Sequence, residues 1–197
     1  IVTGDWSSDV CSSDLLIICP SAVGKSAPMG EKGEDWKWAI ESVQSLTSLA
    51  TELEVTLVIE PLNRYESCIV NNAEEAFKFV WEAGHPKVRT LLDTYHMNIE
   101  EQDMETPFEK LKDYLEVIHV ADSNRQSLGR GHIPFDKVLS GIKKSGFDKT
   151  IVVESSAPGP NPFQADKGPL AMEHIYTYAE ESLAFLKRSF GILKNRV

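Results

Sequence analysis

The chain has 197 residues, of which 42% are hydrophobic and 25% are charged, and its formal net charge is −10. This length and composition suffice for one globular domain with a sizeable core, and the acidic balance argues against binding to nucleic-acid phosphates. No apolar run approaches the ~20 residues that a membrane span needs. The three cysteines form no CxxC pair, which argues against a disulfide framework and a zinc–thiolate site. We therefore expect a cytoplasmic protein that binds neither nucleic acid nor membrane.

The N-terminal segment differs from the rest of the chain. Residues 5–15 read DWSSDVCSSDL, which has neither a strand period nor a helix period and contains the near-repeat SSDV and SSDL. It resembles translated sequencing-adapter read-through, and the alternative is a flexible loop rich in Ser and Asp. We interpret residues 1–14 as a non-native-looking or disordered segment, and residues 15–197 as the domain.

Short apolar runs alternate with amphipathic segments after residue 14. The runs are rich in Val, Ile and Leu without polar alternation, which is typical of parallel strands buried on both faces; they lie at 15–19, 55–60, 88–93, 116–121 and 150–154. The segments with helical patterns lie at 34–53, 72–83, from 106 onward, 134–145 and 170–190. This alternation predicts βαβ units and a parallel sheet, in either an open or a barrel form. Nucleotide-binding versions are disfavoured because the chain contains neither GxGxxG nor GxxxxGK[ST].

Two of the helices carry more specific expectations. The third is predicted to begin with a capping box between Thr106 and Glu109, with Pro107 at its first position. The second is predicted to end at Gly84. Its inward-facing residues are predicted to be Ala73, Ala76, Phe77, Val80 and Trp81.

Four successive predicted strands end at or near a residue that can bind a metal: Glu60, Asp93, His119 and Glu154. Each alone has a structural explanation, since a strand-end carboxylate often caps a helix and a single histidine often belongs to the core. In a barrel, however, these ends converge, and converging carboxylates would repel one another without a cation. We therefore predict a divalent metal site. Three carboxylates and one imidazole suit Mn²⁺, Mg²⁺ or Co²⁺ better than a metal that prefers thiolates.

The sequence around these positions resembles the xylose-isomerase-like barrel superfamily of sugar phosphate isomerases and epimerases. It is most similar to the ketose 3-epimerases that act on tagatose or psicose. The matching stretches are EPLNRYE at 60–66, DTYHMNIEE at 93–101, HVADSNR at 119–125 with GRG at 129–131, and VE at 153–154. The resemblance implies an α/β fold made of the C-terminal five βα units of a (β/α)₈ barrel. The first three units would be missing, because a complete barrel needs about 250 residues.

The resemblance also implies roles for individual residues. Glu60 and Glu154 would be the acid/base pair as well as metal ligands, alongside Asp93 and His119. Substrate oxygens would be held by Glu66, His96 and Arg125. The structural alternatives are a surface salt bridge for Glu66 and for Arg125, and a helix cap or core position for His96.

The implied activity is that of a metal-dependent sugar isomerase or epimerase that inverts C3 of a ketose. A metal would stabilise the enediolate, one glutamate would remove the proton and the other would return it on the opposite face. The expected partner is a small sugar, and a homo-oligomer is left open. The alternatives are a hydroxypyruvate-type isomerase or an inosose dehydratase of the same superfamily. Less favoured is an endonuclease IV-like metal hydrolase, which would need a richer His/carboxylate cluster and a basic face, whereas this chain has five histidines and a net charge of −10. Also less favoured is a non-catalytic sugar-binding barrel, because binding alone needs no acid/base pair.

Overall fold

The computed structural model describes residues 14–21, 24–31, 33–159 and 167–191. Strands and helices alternate through this part of the chain. The elements are β1 (Leu15–Ile18), α1 (Glu34–Glu52), β2 (Thr56–Ile59), α2 (Ala73–Ala83), β3 (Val88–Asp93), α3 (Thr94–Glu100), α4 (Thr106–Leu111), β4 (Leu115–Val120), α5 (Phe135–Ser145), β5 (Thr150–Val153) and α6 (Ala171–Ser189). None of the described helices combines the length and hydropathy that a bilayer crossing requires.

The five strands form one parallel sheet in the sequential order β1-β2-β3-β4-β5. Sequential parallel strands joined by helices form an arc of a (β/α) barrel rather than a doubly wound sheet, whose strand order reverses. The predicted fold class, five βα units of a barrel, is confirmed. Leu16 and Ile17 of the edge strand β1 are exposed.

Strands β2, β3 and β4 are buried on both faces, as their continuous apolar character predicts. For the outer strands β1 and β5 the prediction is wrong, since Leu16, Ile17 and Val152 are exposed at the open edges of the arc. The larger core lies between the sheet and the helices and includes Ile59, Leu92 and Ile118. A smaller cluster of Val58, Leu91 and Val117 lies on the other face of the sheet, toward the inside of the arc. Because strand side chains alternate between faces, this second cluster determines which strand-end residues point into the arc.

The beginning of α4 differs from the prediction. The residue before the helix is Glu105, whose side chain makes no capping hydrogen bond. Asp103 performs that role, since its carboxylate accepts hydrogen bonds from the backbone N–H groups of Glu105 (3.2 Å) and Thr106 (2.8 Å). The predicted capping box is therefore wrong, and Pro107 is the second helical residue. In a capping box the side chain of Glu109 would accept a hydrogen bond from the N–H of Thr106, but Asp103 accepts that hydrogen bond instead.

The inward face of α2 also differs from the prediction in one residue. Trp81 is 66% exposed, whereas Phe79 is fully buried and packs edge-on against Trp36 at 5.4 Å between ring centroids. At 3.6 residues per turn, Phe79 lies nearer than Trp81 to the stripe formed by Ala76 and Val80. Gly84 ends the helix in a left-handed conformation at φ 65°, as predicted.

An apolar groove lies beside β1, where the arc is open. The C-terminal half of α1 contributes Leu46 and Leu49, and the residue that follows the helix is Leu53; all three are exposed. Leu15 and Leu16 line the same groove. The segment 1–14, which we interpreted as non-native-looking or disordered, lies outside the described residues apart from Asp14. The carbonyl of Asp14 accepts a hydrogen bond from the backbone N–H of Thr56.

The assignment of the core can be tested on α2. We expect Phe79→Ala to lower the free energy of unfolding by about 3–5 kcal/mol, because it removes a fully buried ring and leaves a cavity. Trp81→Ala, the matched control two residues away, should change it by about 0.5 kcal/mol or less. Urea unfolding followed by circular dichroism measures both. Equal losses for the two variants would contradict the orientation of α2.

Candidate metal centre

The alternation of the strands brings the four strand-end residues to one place. Glu60, Asp93 and His119 each lie two positions after a residue of the small inner cluster, and Glu154 lies two positions after Val152. Ile151 and Val153 pack on the helix side, so Val152 and Glu154 face inward by the same alternation. All four side chains consequently stand on the inner face at the carboxyl ends of parallel strands.

One potential ligand atom from each of Glu60, Asp93, His119 and Glu154 can be chosen so that all four lie within 4.8 Å of one another. Nδ1 of His119 is 3.4 Å from Glu60 Oε1 and 3.1 Å from Glu154 Oε2. Glu60, Asp93 and His119 are buried, whereas the side chain of Glu154 is 45% exposed. The cluster is therefore closed at its base and open to solvent on the side of Glu154.

The charges of Glu60 and Glu154 act on His119. Burial alone would lower the pKa of His119, but hydrogen bonds and charges from Glu154 and Glu60 raise it to about 10. Burial likewise disfavours ionised Glu154, yet the hydrogen bond from His119 and the charge of Arg125 lower its pKa to about 2. At neutral pH, His119 is thus an imidazolium between two carboxylates.

Arg125 provides the second positive charge in the cluster. Its Nη1 is 2.9 Å from Asp93 Oδ2 and 3.0 Å from Glu154 Oε2, and its guanidinium lies 4.2 Å from the centre of the Tyr95 ring. Burial raises the pKa of Asp93 to about 7, although the charge of Arg125 opposes this shift. Because Asp93 is only 1% exposed, this pairing is not a surface salt bridge.

The other two residues assigned to the substrate by resemblance lie beside the cluster. His96 is buried, and its Nδ1 accepts a hydrogen bond from the backbone N–H of Asn63 at 3.1 Å. Burial, followed by the charge of Arg125, lowers the pKa of His96 to about 3, so the ring is neutral and carries its hydrogen on Nε2. Glu66 accepts a hydrogen bond from Asn63 Nδ2 at 2.7 Å. Asn63 therefore connects Glu66 to His96.

Two residues near the cluster were not singled out from the sequence. The buried Asn63 lies in the EPLNRYE stretch, but an asparagine among charged residues gives no signal of its own. Cys19 follows β1, and its Sγ is 3.9 Å from Glu60 Oε2. Burial and the charge of Glu60 raise the pKa of its thiol to about 11. The same criterion that identified the later candidates, a residue able to bind a metal at the end of a predicted strand, also applies to Cys19.

The donor set fits a hard divalent cation. Ligand atoms at about 2.0–2.6 Å from an ion can be at most about 4–5 Å apart, and the four chosen atoms lie within 4.8 Å of one another. Three carboxylates and one imidazole also match the oxygen-rich preference of Mn²⁺ and Mg²⁺. The residues present could therefore hold such an ion if His119 loses its proton and Nη1 of Arg125 moves away from Asp93 and Glu154.

Curated relatives of this chain are sugar epimerases. The D-psicose 3-epimerase of Ruminiclostridium cellulolyticum is 34% identical over 124 residues, which are 63% of this chain and 42% of that protein. The ketose 3-epimerase of Arthrobacter globiformis is 34% identical over 114 residues, which are 58% of this chain and 39% of that protein. The chain therefore spans less than half the length of these relatives.

Solved structures lead to the same group of proteins. D-allulose 3-epimerase from Methylomonas sp. in complex with D-allulose superposes with a TM-score of 0.74 at 27% identity, over 88% of this chain and 62% of that one. D-psicose 3-epimerase with D-tagatose from Clostridium cellulolyticum H10 gives 0.73 at 27% identity, over 90% and 64%. A family described as xylose isomerase-like TIM barrel matches residues 10–188. The chain belongs to the xylose isomerase-like TIM-barrel family.

Proposed function

We propose that this chain carries the metal and acid/base half of a ketose 3-epimerase. The observation that carries the proposal is the pair of glutamates, Glu60 and Glu154, which flank His119 at 3.4 and 3.1 Å in a cluster that fits one divalent cation. The names of the relatives, D-psicose and ketose 3-epimerases, support the reaction class.

Glu60, Asp93, His119 and Glu154 would hold the cation, with Mn²⁺ as the first expectation. When bound, it would polarise a substrate carbonyl and make the neighbouring C–H more acidic. The two glutamates would then divide the proton transfers. One glutamate, as the carboxylate, would take the proton from C3, and the other, as a carboxylic acid protonated by solvent, would give its proton to the opposite face of that carbon. Exchange with solvent would then restore both protonation states. The result is inversion at C3 without any change in oxidation state.

The side chains around the cluster suit the oxygens of a sugar. His96 Nε2–H and Arg125 Nη2 lie 3.2 Å apart, and both are donors when Nδ1 of His96 accepts from Asn63. Two converging donors favour a shared acceptor, such as a substrate hydroxyl or carbonyl oxygen. They would keep this arrangement in the cation-bound state if only Nη1 of Arg125 leaves Asp93 and Glu154 while Nη2 stays beside His96. Glu66, held by Asn63, would accept from a hydroxyl farther along the chain of the sugar.

Metal binding should release protons, because ligands must be deprotonated. His119 has a pKa of about 10 and is protonated without metal at pH 8, whereas Asp93, with a pKa of about 7, is largely ionised there. We expect release of about one proton per Mn²⁺ at pH 8 and more than one at pH 6, so that affinity rises with pH. Calorimetric titration in buffers of different ionisation enthalpy measures this number. Binding without proton release would contradict the role of His119.

The reaction itself can be tested by isotope exchange. Since the chain supplies five of the eight βα units of a complete barrel, the assay uses a protein that carries this chain together with three further units. After incubation with Mn²⁺ and free ketoses in D₂O, we expect deuterium at C3 by NMR. A 1,2-enediol isomerase would instead label C1 or C2, so label at C1 alone would exclude C3 epimerisation of that sugar.

Glu154→Gln should reduce this exchange by at least about 100-fold, since general acid–base catalysis contributes about 10²–10⁴-fold. The matched control is Glu116→Gln on β4, where Glu116 pairs with Lys149 away from the cluster. Bound Mn²⁺ is measured in both variants. If Glu154→Gln keeps its metal and epimerises at the parental rate, the two-carboxylate mechanism is wrong.

A further inference from the structure

A further buried carboxylate, which lies outside the cluster, organises the loop between β4 and α5. Asp122 is 1% exposed. Its Oδ1 accepts hydrogen bonds from the backbone N–H groups of Ser123 (2.7 Å) and Ile133 (3.2 Å), and its Oδ2 accepts from Gly129 (2.7 Å). Burial alone would raise the pKa of Asp122, but backbone N–H groups, including that of Gly131, lower it below its usual value. One side chain thus draws both ends of the loop together.

The loop closes so tightly on Asp122 that position 131 has no room for a side chain. A Cβ on Gly131 would overlap Asp122 Oδ1 and Ser123 Oγ. The close approach of the backbone at Gly131 is therefore part of how the carboxylate is enclosed.

Helix α6 holds the same loop from outside. Both carboxylate oxygens of Glu181 accept hydrogen bonds from the guanidinium of Arg130, at 2.6 and 2.7 Å, and the hydroxyl of Ser127 also donates to Glu181. The buried Ser182 Oγ accepts from the backbone N–H of Leu128 at 3.1 Å. The loop is consequently fixed by an inner carboxylate and by an outer contact with the C-terminal helix.

The residue that depends on this loop is Arg125. Its φ is 59°, in the left-handed region that non-glycine residues rarely adopt and that must be held by surrounding contacts. Its N–H donates to the carbonyl of Asp122 at 2.8 Å, and its carbonyl accepts from the N–H of Ser156 at 2.7 Å. This backbone conformation aims the guanidinium at Asp93 and Glu154.

We propose that Asp122 is a positioning residue, which holds the β4–α5 loop so that Arg125 reaches between Asp93 and Glu154, and that the contact of Glu181 with Arg130 reinforces it from α6. In this position Arg125 competes with a cation for the two carboxylates. This competition, unlike the positioning role of Asp122, rests on the proposed cation site. Loosening the loop should therefore strengthen cation binding, whereas a loss of general stability should not.

The first test measures amide hydrogen exchange in the chain without metal. Asp122→Asn replaces one acceptor oxygen by an NH₂ group, so we expect the amides of Gly129, Arg125 and Ser156 to exchange about tenfold faster or more. The Ser156 amide is the informative one, because it lies beyond the loop and reports on the carbonyl of Arg125. Asp136→Asn, an exposed residue in the first turn of α5, is the matched control and should leave these rates unchanged.

Glu181→Gln is the milder variant. It changes a half-exposed side chain, keeps Asp122 intact, and should shift the same amides in the same direction by a smaller factor. Parental exchange at Arg125 and Ser156 in both Asp122→Asn and Glu181→Gln would overturn the proposal. So would faster exchange that spreads equally over the core strands, because that pattern reports global destabilisation.

The second test is a double-mutant cycle in Mn²⁺ affinity. Arg125→Ala should bind Mn²⁺ about threefold more tightly or better, Asp122→Asn should do so to a smaller extent, and the double variant should equal Arg125→Ala alone. Additive effects, or weaker binding by Asp122→Asn, would overturn the positioning role. If the parent chain binds no Mn²⁺, the cation site of the proposed function fails, and the exchange measurement still decides the role of Asp122.

Discussion

Mutual repulsion among three clustered carboxylates is the constraint around which this end of the protein is built. Glu60, Asp93 and Glu154 offer oxygens within 4.8 Å of one another, in surroundings that are mostly buried. Two positive side chains, His119 and Arg125, balance that charge in the described structure. A divalent cation would balance it with shorter bonds, at the cost of one proton from His119 and the withdrawal of Arg125. Cation binding, proton release and the position of Arg125 are thus one linked equilibrium.

Three parts of the backbone, at increasing distance from the carboxylates, position the side chains of the cluster. The strands bring the ligands to the inner face through the two-residue period that also places Val58, Leu91 and Val117 there. The loop after β4 positions Arg125 through Asp122. Helix α6, far from the carboxylates in sequence, supports that loop through Glu181. Arg125, which must move when a cation binds, therefore lies on a loop whose two supporting contacts, with Asp122 and with Glu181, can be removed separately by mutation.

The sheet and the location of the candidate site could be predicted from sequence for one reason. Strands buried on both faces leave uninterrupted apolar runs, and a charged residue that ends such a run stands out, as Glu60 and Asp93 do. Contacts made through irregular backbone left no comparable signal. The capping role of Asp103, the link from Asn63 to His96 and the enclosure of Asp122 depend on where turns bring backbone N–H groups. Trp81 was misplaced because α2 is apolar over more than one stripe, and only packing against Trp36 selects Phe79.

The proposed function requires that these four side chains together bind one cation. The decisive measurement is the anomalous scattering of Mn²⁺ in crystals of the protein grown with the metal. We expect a single peak, with oxygens of Glu60, Asp93 and Glu154 and a ring nitrogen of His119 at about 2.0–2.6 Å from it. We also expect Arg125 to be displaced from between Asp93 and Glu154. No peak there at saturating Mn²⁺, or a peak bound by other side chains while Arg125 keeps both contacts, would contradict the proposed function.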